Sequence, residues 1–478
     1  MVRDKQGRGS RPGNRFISSG GRASRGQAAR GRPGHESRQS GEGREWPARF
    51  TVTRMGHDGR GIASWQGKTL FIEGALAGEE VTARLLQEHT RYAEALVTGI
   101  ITASAERQVP VCRHYEQCGG CQLQHWQAEQ QLYFKQQTAL EQMKRWSGLE
   151  AVEVVEPIRS ATEAYRGRAR LGVWYEPDGR VILGFRQRQS KHLTPIDDCR
   201  VLDTALNRLL QPLQQWLETE HSARAITHVE LLTSNQQQMV ILRHTRTPGE
   251  RDWQGLRLIA EHYACSILTE DNEGVLQDLQ GQQVDPRLFY NPDPQLPPLA
   301  WHPGDFIQVN QTVNQRMVAQ AIEWLALQGN ERVLDLFCGI GNFTLPLARH
   351  CAEVTGIEAV ESMVVRGREN ARRNGVENAR FIAADLSRVT MGFLKQQCGA
   401  VDAILLDPPR DGAREVLLNI RQLAVPRLVY VSCNPATLAR DAAVLAEAGY
   451  RLEKQGVMDM FPHTAHVESM ALFILNKK

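Results

Sequence analysis

The sequence predicts an α/β chain of three folded pieces: a small N-terminal β-barrel, a central α+β region and a C-terminal doubly wound parallel sheet. Three observations carry that reading. After residue 301, strand–turn–helix units follow one another with a polar residue at each strand end, the pattern of a parallel sheet whose site lies along its carboxyl edge. Before residue 110, short apolar runs alternate with glycine turns, which suits a small barrel. Between the two lie three cysteines within ten residues, a density that packing alone does not explain.

The whole chain has 478 residues, with 57 Lys+Arg against 54 Asp+Glu and a formal net charge of +3. No run of about 18 apolar residues occurs, so no membrane-spanning helix is expected. No apolar stretch backs the charges of the first residues, which argues against a secretory signal. Nine cysteines are an odd number and unevenly placed, so a disulfide scaffold is not expected. A cytoplasmic protein whose thiols do chemistry is expected instead.

Residues 1–45 hold ten arginines and Lys5 against Asp4, Glu36, Glu42 and Glu45, a net +7 that leaves −4 for the rest of the chain. Rich in Gly and Ser, this stretch cannot bury enough surface to offset its chain entropy and reads as a disordered tail. It acts either as a solubilising tail or as an arm that adds salt-dependent affinity for nucleic-acid phosphates.

From 46 to 110, the runs FTVTRMGHDGRGIASWQGKTLFIEGALAGEEVTARL and YAEALVTGII are broken at Gly59, Gly61, Gly67, Gly74 and Gly78. That spacing predicts a five-stranded barrel. GHDGRGIA followed by FIEGALAGEEV resembles the TRAM domain, an RNA-binding barrel carried by RNA-modifying enzymes.

The region 111–300 opens with Cys112, Cys118 and Cys121 in CRHYEQCGGCQLQ, spaced C-x5-C-x2-C, and Cys199 follows in PIDDCR. Gly119 and Gly120 permit the tight backbone that lets neighbouring thiolates converge on one metal centre. Four thiolates suit a [4Fe–4S] cluster or a structural zinc, and spacing does not separate the two. Radical-generating clusters use C-x3-C-x2-C and leave one iron open, so a closed structural or RNA-facing site is the better fit. Next comes a hairpin, AYRGRARLGVWYEPDGRVILGFRQRQ, turned at Pro177-Asp178-Gly179. Alternation places Arg166, Arg168 and Arg170 on one face of a strand, with Arg186 and Arg188 on the return strand. Such a basic face suits a polynucleotide backbone or simply solvent. ITHVELLTS and QQMVILRH read as further strands of this region.

In the region 301–478, RVLDLFCGIGNFTLPLA is a strand, a glycine turn and a helix. The D-x-F-x-G-x-G turn from Asp335 lacks the spacing of a dinucleotide fold and suits S-adenosylmethionine, which has no pyrophosphate to cradle. Glu358, in AEVTGIEAV, is placed to accept from both ribose hydroxyls. Asp385 ends FIAAD, where a carboxylate can meet the adenine amine; Asp407 opens DPPR and Cys433 follows RLVYVS. Cys433 is the candidate nucleophile, because a thiolate adding to C6 of a uracil places negative charge at C5, which then attacks the methyl group. Glu468, in PHTAHVESMALF, is a candidate for removing the C5 proton.

Through these motifs the chain resembles the RNA uracil-C5 methyltransferases over everything after the arginine-rich tail. The resemblance implies a class I, Rossmann-like methyltransferase domain at 301–478, a central iron–sulfur domain at 111–300 and a TRAM domain at 46–110. It implies Cys433 as nucleophile, Glu468 as base, and Gln308, Phe337, Asn342, Glu358, Asp385 and Asp407 as contacts to S-adenosylmethionine. It further implies Cys112, Cys118, Cys121 and Cys199 as ligands of a [4Fe–4S] cluster, with Arg410 and Asn434 near the target base. Cys338, beside the cofactor turn, is expected to be packing. Both barrel and cluster cysteines are present, which points to the rRNA branch and to uridine 1939 of 23S rRNA as substrate. Dual-site rRNA enzymes share that architecture, whereas tRNA-specific members lack both features. Enzymes acting on amines carry N-P-P-Y after the fourth strand, and here the tetrad is DPPR. A non-catalytic RNA chaperone or ribosome assembly factor is the alternative from another class. A flipped-out uridine is expected in either enzymatic case.

Overall fold

The computed structural model describes residues 46–235 and 237–476, so the arginine-rich tail lies outside the described residues. From Ala48 onward the chain makes one unit. No helix among the described residues is long and apolar enough to cross a membrane.

Six strands, not five, make the N-terminal sheet, in the order Phe50–Thr51, Glu80–Glu88, Tyr92–Thr102, Lys68–Glu73, Gly61–Trp65 and Arg54–Met55. The extra strand arises because the first apolar run serves two neighbours. Phe50 pairs with Val81, and Met55, after an intervening break, pairs with Gly61. Gly59 lies in the left-handed region (φ +79°), and a Cβ there would stand 2.8 Å from Leu123 and 3.4 Å from Ala465. The glycine therefore lets this sheet rest directly on the cysteine segment and on the loop before the last strand.

The central sheet has seven strands, ordered Leu193–Pro195, Val181–Arg186, Arg168–Tyr175, Ile226–Ser234, Gln237–His244, Cys265–Glu270 and Leu276–Gln277. The hairpin closes as expected, with Tyr175 opposite Val181 and Gly179 at φ +92° in its turn. Helices Leu210–Thr219 and Glu250–Tyr263 cover one face through Leu213, Trp216, Trp253 and Leu256. The other face, carrying Leu232, Met239 and Ile241, packs on Trp301, Ile340 and Val364.

The C-terminal sheet holds seven main strands: β1 (Arg332–Leu336), β2 (Glu353–Glu358), β3 (Ala379–Ala383), β4 (Ala403–Leu406), β5 (Arg427–Ser432), β6 (Tyr450–Met458) and β7 (Glu468–Leu475). Their order is β3-β2-β1-β4-β5-β7-β6, parallel except for β7, which runs antiparallel to both neighbours. Both faces are covered, so these strands read as continuous apolar runs. Val333, Leu405, Val429 and Val431 face helix Gln311–Leu325, while Leu334, Leu336, Ile404, Leu406 and Leu428 pack with Leu438 and Leu445 of helix Pro435–Glu447.

Residues 128–158 depart from the expected boundaries. Helix Ala128–Ser147 packs against helix Pro435–Glu447 and β6, and Glu153–Val154 extends the C-terminal sheet beyond β6. Asp441, fully buried, accepts from the Ala413 amide (2.7 Å) and the Tyr430 hydroxyl (2.8 Å), tying the segment after β4 to β5. Asp441→Ala leaves two buried donors unpaired, so a loss of about 2–4 kcal/mol is expected in urea unfolding. An unchanged midpoint would show that the two donors find other partners.

Candidate active site

Parallel strands bring their C-terminal ends to one edge, and the loops leaving that edge carry the expected residues. After β1, Phe337 (φ +64°), Gly339 (+56°) and Gly341 (+100°) turn the chain sharply. The Phe337 and Cys338 amides bond to the Ile357 carbonyl at 2.9 and 3.2 Å, fixing the turn against β2. Cys338 is buried, and its sulfur would stand 2.8 Å from a Cβ at Gly356, consistent with a packing role.

Glu358 closes β2 and accepts from the amides of Gly339 (3.2 Å) and Val360 (2.9 Å). Asn342 exchanges two hydrogen bonds with Asn314 (2.9 and 3.0 Å) and accepts from the Tyr290 hydroxyl (3.2 Å). Asn314 and Tyr290 were not anticipated, although a buried asparagine on the apolar side of helix Gln311–Leu325 is the kind of mismatch that could have marked one of them. Asp385, two residues past β3, is exposed and accepts from the hydroxyl (2.7 Å) and amide (3.0 Å) of Ser387, which hold its carboxyl below the usual range. Asp407 follows β4, where desolvation pushes its carboxyl up to about 7. Gln308, Phe337, Asn342, Glu358, Asp385 and Asp407 all line one cavity of about 760 Å³. That volume lies in the range of small-molecule sites.

Cys433 lies one residue past β5, partly buried. Because β7 is antiparallel, Ser432 pairs with Ser469, and Glu468 at the start of β7 arrives beside the end of β5. Glu468 is 6% exposed, and among the described residues nothing hydrogen-bonds its carboxyl. Desolvation, and then the neighbouring Asp407 charge, raise it to about 8. The Cys433 thiol is raised to about 11, by desolvation first and then by Glu468 and Asp407, with Arg410 opposing. Asn434 and Thr437 both donate to the Arg410 carbonyl, at 3.3 and 3.2 Å, which fixes the DPPR turn beside the thiol.

Cys433 and Arg410 line two further cavities besides the first. One, of about 1000 Å³, is bounded by Cys112, Cys118, Cys121 and Cys199 together with Arg166, Arg170 and Arg186. The other, of about 1270 Å³, runs between the N-terminal sheet and helix Ala128–Ser147, past the exposed rings of Tyr133 and Trp146.

Backbone contacts shape the cysteine segment. The Gly119 amide bonds to the Arg186 carbonyl at 2.9 Å, and a Cβ at Gly119 would collide with that same oxygen. Burial raises the thiols of Cys118, Cys121 (to about 12) and Cys199 (to about 11), and neighbouring cysteines in the group raise each of them further. Mutually repelling sulfur donors are a set that a cation would relieve. Among the described residues, no three Cys, His, Asp or Glu side chains are drawn close enough to form a metal-holding group.

Two of the five arginines expected on the basic face are structural instead. Arg168 is paired with Glu230 (2.7 Å) and donates to the carbonyls of Asp305 and Pro303. Arg188 pairs with Glu73 (2.9 Å), lies over the Tyr115 ring, and donates to the carbonyls of Tyr115, Cys118 and Cys121. Arg170 and Arg186 have no ion-pair partner among the described residues and remain free to meet an anion.

A thiol held near 11 is mostly protonated at neutral pH, and its thiolate fraction grows tenfold per pH unit below that value. Alkylation of Cys433 by iodoacetamide, followed by mass spectrometry, is therefore expected to accelerate about tenfold per pH unit from pH 7 to 9. A plateau by pH 8 would contradict this placement.

Residues 127–477 match the family model described as tRNA (Uracil-5-)-methyltransferase. The chain is 45% identical over 433 residues to the 23S rRNA (uracil(1939)-C(5))-methyltransferase RlmD of Aeromonas salmonicida, covering 89% of this chain and 95% of that protein. It is 46% identical over 428 residues to the enzyme of the same name from Pseudomonas putida, covering 89% and 93%. Among solved structures, the Pyrococcus abyssi tRNA (uracil-54, C5)-methyltransferase in complex with S-adenosyl-L-homocysteine superimposes with a TM-score of 0.68 at 24% identity, over 89% of this chain and 100% of that one. That last likeness speaks for a shared α/β methyltransferase fold. With a family model spanning most of its length and relatives at such identity, the chain belongs to the RNA uracil-C5 methyltransferases.

Proposed function

We propose that this protein methylates C5 of uridine 1939 in 23S rRNA, with S-adenosylmethionine as methyl donor and Cys433 as covalent catalyst. The observation that carries the reading is the meeting of Cys433 and Glu468 on the wall of the cavity lined by Glu358, Asp385 and Asp407. The names of its relatives supply the uridine.

Bound in that cavity, S-adenosylmethionine supplies an electrophilic methyl group. Glu358 would accept from its ribose hydroxyls and Asp385 from its adenine amine, and Gln308, Phe337, Asn342 and Asp407, which line the same cavity, would complete the contacts. Cys433 gives up its proton to solvent and its sulfur adds to C6 of the uracil, opening the C5=C6 double bond. The electron pair moved toward C5 forms the new bond to the methyl carbon as that carbon's bond to the sulfonium sulfur breaks, and the donor leaves as S-adenosylhomocysteine. Glu468 then takes the proton from C5. The C5–H electron pair restores the C5=C6 bond, the C6–S bond breaks, and Cys433 leaves as thiolate. A carboxyl raised to about 8 is suited to this task, because it holds a removed proton well at neutral pH.

Cys112, Cys118, Cys121 and Cys199 are proposed to hold a [4Fe–4S] cluster, supported by four sulfur donors lining one cavity and raising one another's thiols. Iron bound there would favour the thiolate forms. The N-terminal sheet is proposed as a TRAM-type RNA-binding domain, and Arg170, Arg186 and the Tyr133–Trp146 groove as the tracks followed by RNA on either side of the target. A reducing cytoplasm would keep Cys433 free.

Protein purified without air and given methyl-labelled donor is expected to label C5 of uridine 1939 in unmodified 23S rRNA, mapped by mass spectrometry of nuclease fragments. Cys433→Ala should abolish transfer, and Glu468→Gln should leave a protein–RNA adduct that resists denaturant. Label on tRNA alone, or transfer by Cys433→Ala, would overturn the reading. Elemental analysis of the same preparation distinguishes iron and sulfide from zinc.

Elimination needs Glu468 ionised, so its raised pKa makes the rate of adduct release, measured in single turnovers, climb with pH. With the pKa near 8, the ionised fraction grows about tenfold between pH 7 and 9. A flat rate across that window would place the base elsewhere. Arg170→Ala with Arg186→Ala should raise KM for rRNA and lower the salt dependence of binding by about two phosphate contacts, leaving donor affinity unchanged.

A further inference from the structure

Glu468 is carried into the site by the loop 459–467 between β6 and β7, and that loop is held from outside the sheet at several successive residues. Four consecutive carbonyls are each captured by a different part of the chain. Met460 O accepts from Asn310 (3.4 Å), Phe461 O from Lys135 Nζ (3.2 Å), and Pro462 O from the Tyr165 hydroxyl (3.1 Å). His463 O accepts from the amides of both Gln122 and Leu123, at 2.9 Å each. Just before them, Asp459 meets Lys135 Nζ at 2.7 Å, with Lys135 only 1% exposed. His463 sits at φ +66°, its amide donating to Gln131 Oε1 at 3.1 Å. An L-residue holds that conformation only where its surroundings fix it.

Neither Lys135 nor Gln131 lines the cavities around Cys433, so neither is placed to touch substrate. A buried ion pair gives little net stability, and its better attested use is to specify one geometry. A carboxylate that must meet a single C–H bond on an already bonded base needs such a geometry. We infer that Lys135, Asp459 and Gln131 are positioning residues that set Glu468 for the elimination half of the reaction, resting on the assignment of Glu468 as base. Addition of Cys433 to C6 and methyl transfer to C5 do not use the Glu468 carboxylate. Transfer of the C5 proton to Glu468, with return of its electron pair to the ring and release of the Cys433 thiolate, does.

Two sets of variants test this in the full-length protein. Lys135→Met together with Asp459→Leu removes both charges at once, and Gln131→Leu leaves the ion pair intact while freeing the His463 amide. Thermal unfolding and calorimetry with S-adenosylmethionine establish that each variant is folded and binds the donor. In single-turnover reactions with 23S rRNA, methyl transfer should persist while release slows by about tenfold or more. A denaturant-resistant adduct should then accumulate, as in Glu468→Gln. Equal loss of transfer and release without adduct would mean that these residues serve the fold alone and would overturn the inference, as would wild-type release by folded variants. Absence of adduct in Glu468→Gln itself would instead remove the base assignment, and the inference with it.

Discussion

A parallel sheet offers only the carboxyl ends of its strands at its working edge, so a group at the start of a strand reaches that edge only if its strand runs backward. β7 does so between β5 and β6, and its register sets Ser469 opposite Ser432. That one reversal brings a carboxylate from late in the chain beside Cys433, which five parallel units have already delivered to the edge. Much of the surrounding structure serves to keep β7 and its loop in place. Helix Ala128–Ser147 leaves the central region to pack on the C-terminal sheet, and the cysteine segment ends with two amides on the loop's His463 carbonyl. The N-terminal sheet comes against the same loop at Ala465 through Gly59.

The edge that results is acidic, with three carboxyls buried in or beside it. Asp335, Asp407 and Glu468 are all pushed up by burial, to about 7, 7 and 8. Asp335 has a compensating bond from the Thr344 hydroxyl (2.6 Å), whereas the Glu468 carboxyl has none among the described residues. Since Glu468 is raised above its ordinary 4.5, folding favours its protonated form. Stability from this group is whole at low pH and declines as pH rises from about 4.5 toward 8, by up to about 5 kcal/mol. Packing on both faces of the sheet sustains that cost. A carboxyl that destabilises the resting protein in this way is what the proposed base would require.

Much of this edge was legible in the sequence, because apolar runs ending in Glu358, Asp385, Asp407 and Cys433 announce strands and their exits together. Thiol spacing likewise singled out Cys112, Cys118 and Cys121, which line one cavity with Cys199. What stayed hidden was what each side chain would face. Alternation places Arg168 correctly on a strand but says nothing of Glu230 or of the Pro303 and Asp305 carbonyls waiting for it. Arg188 likewise finds Glu73 in a different sheet. Helix Ala128–Ser147 was missed because AEQQLYFKQQTALEQMKRWS is glutamine-rich and its buried face includes Gln131 and Lys135. Their partners, His463 and Asp459, lie more than 320 positions away, beyond the reach of any local pattern.

The sharing of Cys433 and Arg410 by three cavities has a spatial meaning. A nucleobase seated on that thiol would stand where the proposed donor cavity meets the two grooves proposed for RNA. Donor and polynucleotide would then reach one sulfur from different cavities, and a change at Arg410 would be felt in all three.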